Sequence, residues 1–191
     1  FCYNPLKNRL GFAMFRPLTP AETELARSVF GHSIDYPRVR VHRGRLIPLL
    51  QNGRVAMSPF GTMHFPPALY RSDFAAADIS AQHLFIHEMT HIWQHALGLK
   101  LWLDGSILAC KGGYKNNICY RYHSQLAQHH TFSQFNMEQQ ADIIADYFVF
   151  RHTRNHPQIQ KILADFSANP ANRALLPAHT DFPAVSRLFA T

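Results

Sequence analysis

The stretch from Ser80 to Leu97 constrains this chain more than any other. It carries Phe85, Met89, Ile92 and Ala96 at helical spacing, with Ser80 placed to cap the start and Gly98 to stop the end. Within it stands His87-Glu88-Met89-Thr90-His91. Residues four apart on a helix share a face, about 6 Å apart along the axis, so both imidazoles reach one ion. Glu88 falls between them, where it reaches a water on that ion without ligating it. Two nitrogens and one carboxylate oxygen suit zinc and leave a fourth position for water, whose pKa then falls toward about 7. Chance produces such a pattern in roughly 2 of 100 chains of this composition, so the third ligand decides the reading.

Glu138 is the one glutamate downstream of His91. Asp142 follows four residues later on the same helical face, where it can hold the outer ring nitrogen of a ligating histidine. Phe135, Ile143, Ile144 and Phe148 surround the pair with apolar side chains, and buried carboxylates need partners. The metal set is therefore His87, His91 and Glu138, with Glu88 as general base and Asp142 in support. Other histidines fit less well. His95 lies about 12 Å along the axis from His87, too far to share one ion, and His83 reads as a surface group one turn before the motif. Gln94 and Leu97 occupy positions where a metzincin needs glycine and histidine, which excludes that class. Peptide hydrolysis also wants a donor for the developing oxyanion; Tyr120, Tyr122 and His123, between the two ligand helices, are the candidates.

The rest of the chain reads as an α+β domain spanning 1–191: a small antiparallel sheet, the helix bearing the two histidines, and a second helix bearing Glu138. Thr19-Pro20-Ala21-Glu22 opens a helix that runs to Phe30 and stops at Gly31. Strands are expected over 36–42, 46–51 and 62–65, with turns at Asn52-Gly53 and Pro59. A loop-rich stretch follows over 101–133, with turns at Asp104-Gly105 and Gly112-Gly113 and a short strand over 118–122. The second ligand helix is expected over 134–151, a last helix over 157–167, and then a proline-rich tail on the surface.

At 47% hydrophobic and 16% charged, the chain is globular rather than disordered. Its formal charge of +7 comes from scattered cations, so no nucleic-acid partner is expected; no stretch is apolar for long enough to span a membrane. Cys2, Cys110 and Cys119 lack structural-zinc spacing. Cys110 and Cys119 flank a glycine-rich loop and can close a small disulfide in an oxidising compartment, or stay as thiols. The start at Phe1 reads as a piece excised from a longer protein.

The H-E-x-x-H and E-x-x-x-D pattern resembles the gluzincin branch of zinc metallopeptidases. Four segments carry a closer likeness: 18–22, 29–36, 84–91 and 135–142 together resemble the metallopeptidase domains at the C-termini of VgrG-type and Rhs-type type VI secretion proteins, over residues 17–150. The resemblance implies a zincin-like fold and a secreted antibacterial or host-directed effector. It would act in the recipient cell, in the periplasm rather than the cytosol, with a protein or peptide substrate and a cognate immunity protein as partners. The same ligand set and base follow from it, and a monomer is expected. Two other readings share the motif: a zinc amidase acting on cell-wall cross-links, which uses every catalytic residue named, and a basic binding module with structural zinc, in which Glu88 is dispensable.

Overall fold

Thr19 starts the first helix with its own side chain: its hydroxyl accepts from the Glu22 amide at 3.0 Å, and the Glu22 carboxylate accepts from the Thr19 amide at 2.9 Å. This capping box, with Pro20 in the first turn, launches α1 (Pro20–Phe30), which ends at Gly31 with a φ of 55° that suits glycine. Glu22 is fully buried and also takes both terminal nitrogens of Arg16, at 2.6 and 2.7 Å, and the Phe74 amide at 2.8 Å. One carboxylate thereby ties three parts of the chain together.

The computed structural model describes residues 14–47, 51, 53–151 and 156–182. Among them, β1 (Met14–Pro17), β2 (Arg40–Arg43) and β3 (Met63–Phe65) form a sheet in the order β1-β2-β3. The helices are α1, α2 (Ile79–Ala96), α3 (Leu101–Cys110), α4 (Met137–Phe150), α5 (Pro157–Ile162) and α6 (Ala164–Ala168). The class is α+β, as the sequence implies, but the sheet is mixed rather than antiparallel. β1 and β2 run antiparallel, with Phe15 opposite His42, whereas β2 and β3 run parallel, with His42 opposite His64. A parallel pair needs a crossover instead of a hairpin, and the chain between Arg43 and Met63 supplies it. Its turn signals therefore belong to the crossover. Leu46 and Ile47 lie in a bend there, with Gln51 Oε1 accepting from the Leu46 amide at 2.6 Å; residues 48–50 of the expected strand fall outside the described residues.

The strand expected from residue 36 begins only at Arg40, because Pro37 sets a short 3-10 turn over Tyr36–Arg38. β1 was not expected at all. Val41, Met63 and Phe65 are fully or almost fully buried on the inner face of the sheet. Phe65, Phe74 and Phe85 continue this packing toward α2, Phe65 tilted against Phe74 and Phe74 stacked on Phe85, with centroids 4.5 and 5.4 Å apart. α2 then packs along α4, with Ile86, Met89 and Trp93 sharing one core with Ile143, Ile144 and Phe148.

Between these helices the structure is more helical than its glycines suggest. Asp104-Gly105 lies inside α3, not in a turn. A Cβ on Gly105 would come within 3.3 Å of Met137 and 3.5 Å of the Tyr114 hydroxyl, so glycine lets α3 sit close to the start of α4. The strand expected over 118–122 is replaced by 3-10 structure over Lys115–Tyr120, turned by Asn116 and Asn117 at φ 55° and 56°. Cys110 and Cys119 are free thiols: Cys110 is exposed, while Cys119 is buried against Leu101, Leu108 and Met137. Of the two alternatives the sequence left open, the structure has the thiols; Cys2 lies outside the described residues.

The last helix is split at Leu163 into α5 and α6. Residues 169–182 then strap across α2 and the start of α4: Trp93 donates to the Pro170 carbonyl at 2.6 Å and Asn136 to the Asp181 carbonyl at 2.8 Å. Among the described residues no helix is long and apolar enough to cross a membrane.

Candidate metal centre

Two capped helices bring the chemistry together. α2 starts at Asp78, whose carboxylate accepts from the amides of Ser80 and Ala81 at 3.0 Å each. The cap is thus two residues earlier than Ser80, the residue the sequence points to. Asn136 caps α4 by accepting from the Glu138 and Gln139 amides, and Gln139 returns the bond to the Asn136 amide. This cap places Glu138 in the first turn of α4, facing His87 and His91 from one turn to the next on α2.

His87, His91 and Glu138 are all buried, and their facing ligand atoms lie within 4.8 Å of one another. Glu138 Oε2 is 3.4 Å from His87 Nε2 and 3.2 Å from His91 Nε2. Ligands about 2.1 Å from a tetrahedral zinc ion stand about 3.4 Å apart, so the donor set fits such an ion. The outer atoms are committed as well. His87 Nδ1 meets Asp142 Oδ1 at 2.8 Å, His91 Nδ1 meets Gln94 Oε1 at 2.9 Å, and the Tyr114 hydroxyl donates to Glu138 Oε1 at 2.8 Å. With neutral imidazoles, each of the three side chains therefore turns one lone pair toward the same point.

The electrostatics suit a cation there. Burial opposes the charge on Glu138, yet His91 and His87 outweigh it and hold the carboxyl far below its usual range. For His87, burial disfavours the imidazolium, but bonds to Asp142 and Glu138 lift it well above the ordinary imidazole value. His91 is raised against the same burial by Glu138. The pocket thus concentrates negative potential on two imidazoles.

Glu88 is buried beside its neighbours, and its Oε2 accepts from the Ser58 hydroxyl at 2.6 Å. Of the candidate donors, Tyr120 stands next to the group, its ring centroid 6.1 Å from that of His87. Burial pushes the Tyr114 and Tyr120 hydroxyls up, so both stay protonated donors at working pH. Tyr122 instead spends its hydroxyl on Asp146, and His123 stacks on the Tyr122 ring at 4.1 Å with its side chain exposed. His83 meets Asp146 at 2.8 Å, repeating the His87–Asp142 pairing one turn earlier on α2 and one turn later on α4. His95 is exposed.

Three residues at the centre escaped the sequence reading. Gln94 lies three residues after His91, a spacing that shares its face, so helical geometry could have found it. Tyr114 and Ser58 arrive from irregular chain and leave no periodic signal.

No family model matches the chain. The type VI secretion system spike protein VgrG2b of Pseudomonas aeruginosa is 36% identical over 135 residues, which is 70% of this chain but 13% of that protein. The solved effector domain of Pseudomonas aeruginosa VgrG2b aligns with a TM-score of 0.64 and 33% identity, covering 80% of this chain and 82% of that one.

Proposed function

Because this chain belongs to the family of the VgrG2b effector domain, we propose that it is a secreted effector of zincin-like fold that hydrolyses peptide bonds, using zinc held by His87, His91 and Glu138. The observation that carries the reading is the convergence of three oriented ligand atoms beside a buried carboxylate that is not itself a ligand.

Zinc bound there would supply a Lewis acid that acidifies water and polarises a carbonyl. The protein's own residues do the remaining work. Ser58 occupies Oε2 of Glu88, which leaves Oε1 to take the proton from the attacking water and hand it to the departing amine nitrogen. Asp142 and Gln94 keep the imidazoles aimed, and Tyr114 restricts Glu138 to one ligating oxygen. Tyr120, neutral and adjacent, is the donor best placed to meet the oxyanion.

Elemental analysis of the purified protein, paired with casein hydrolysis, tests the reading. One zinc per chain, lost in Glu138→Ala but kept in Glu88→Gln, together with turnover lost in both, is the expected pattern. Full activity in Glu88→Gln would defeat the mechanism. The type VI spike protein among its relatives supports delivery by such a spike; a cognate immunity protein and action in the recipient's periplasm complete the proposal. Growth arrest on export of the chain to the periplasm of a bacterial host, with none on cytoplasmic expression, is the outcome expected for that compartment; the reverse would overturn it.

A further inference from the structure

We propose that Gln94 and Gln140 form an amide relay that fixes the tautomer of His91, so that the strap over residues 169–182 belongs to the metal centre. The inference rests on the metal reading above. Gln94 and Gln140 are both fully buried, and their bonds run in one direction only.

The chain of reasoning starts at its far end. Gln140 Nε2 lies 2.9 Å from the Phe132 carbonyl and 2.8 Å from the Leu175 carbonyl. Carbonyls only accept, so the amide NH2 must face them and Gln140 Oε1 must point the other way. That oxygen accepts from Gln94 Nε2 at 3.0 Å, and the second Gln94 proton goes to the Met137 carbonyl at 3.1 Å. With both its protons assigned, Gln94 can offer His91 only Oε1. His91 Nδ1 must then carry a hydrogen, and in the neutral ring Nε2 keeps its lone pair toward Glu138.

Each link removes the freedom of the next. An amide free to flip would present NH2 to His91 about as readily as oxygen, favouring the tautomer that cannot ligate through Nε2. Three backbone carbonyls settle the matter: Met137 on Gln94, and Phe132 and Leu175, the last from the strap, on Gln140. His87 needs no such relay, because a carboxylate accepts with either oxygen. Gln94 and Gln140 are positioning residues in this scheme, and touch neither substrate nor reacting atoms.

Zinc affinity, measured at fixed pH by competition with a fluorescent chelator, provides the test. Methionine keeps the length and unbranched shape of glutamine without its hydrogen bonds. Gln94→Met is expected to weaken zinc binding about 10–100-fold, and Gln140→Met about fivefold. The double variant should be no weaker than Gln94→Met alone within about twofold, since the second link acts only through the first. Gln51→Met is the matched control: Gln51 is also buried, but it accepts from the Leu46 amide and donates to the Val55 carbonyl within the crossover, so zinc affinity should hold. Should Gln94→Met fail to fold, Gln140→Met against Gln51→Met still decides. Zinc bound by wild type and equally well by both relay variants would overturn the relay alone, as would equal losses in Gln51→Met and Gln140→Met. A wild type that binds no zinc would overturn the metal reading and the relay with it.

Discussion

Two glutamates sit in the first turns of capped helices, both buried, and they do opposite things. Glu22, on α1, faces donors: two guanidinium nitrogens of Arg16 and the amides of Thr19 and Phe74. Its charge and its lone pairs are satisfied within the chain. Glu138, on α4, has one donor in Tyr114, while its other oxygen faces two imidazole nitrogens whose outer partners hold the ring protons away from it. A carboxylate surrounded by donors is a structural staple. One that faces lone pairs is complete only with a cation between them, either a metal ion or protons on the rings.

Substitution separates the two most widely. Glu138→Ala should weaken zinc by well over about 100-fold, beyond what losing a supporting residue does, with little change in the melting temperature of the zinc-free protein; chelator competition and a thermal melt read the two effects. Glu22→Ala should do the reverse. It strands a half-buried Arg16 and removes a cap, at a cost of about 3 kcal/mol in denaturant unfolding, yet the folded fraction should bind zinc as wild type does. If Glu22→Ala lost zinc at temperatures where it stays folded, the division between staple and ligand would fail.

Acid gives a milder contrast, acting on the sheet side of the molecule. Burial and the stacked ring of His42, with centroids 4.3 Å apart, lower His64 to about 4. The unfolded chain then binds the extra proton first as pH falls below about 6.5. The stability this neutral ring contributes is present above that value and is lost between about 6.5 and 4, amounting to about 2 kcal/mol. Urea unfolding of wild type and His64→Phe across this window should show a steeper decline for wild type; parallel curves would contradict the assignment. Tyr114→Phe should have the smallest effect. Freeing Glu138 Oε1 should relax zinc affinity by about tenfold, in line with one hydrogen bond to a charged carboxylate, without changing unfolding in the zinc-free state by more than about 1 kcal/mol.

The sequence exposed the parts of this centre that periodicity can carry. His87 and His91 share a face because four residues make about one turn, and Glu138 and Asp142 repeat the rule on α4. The Thr19–Glu22 capping box was legible for the same reason, since it is a local pattern with a local cause. Its second role was hidden: nothing near Glu22 in sequence announces Arg16 from β1 or Phe74 from beyond the sheet. α3 was concealed by Gly105, which looks like a turn residue but serves a close approach between helices. The mixed sheet depends on where the crossover returns, and three-residue strands hold too little pattern to fix that.

One bond made by the strap bears on the order of events during synthesis. A nascent chain that has emerged only through α4 already carries His87, His91 and Glu138, and the caps that start both helices. It lacks the Leu175 carbonyl, and with it half of what orients Gln140. On the proposed relay, the ligating side chains exist before their aim is set, so a metal ion arriving early would meet a looser grip than one arriving after residues 169–182 have docked.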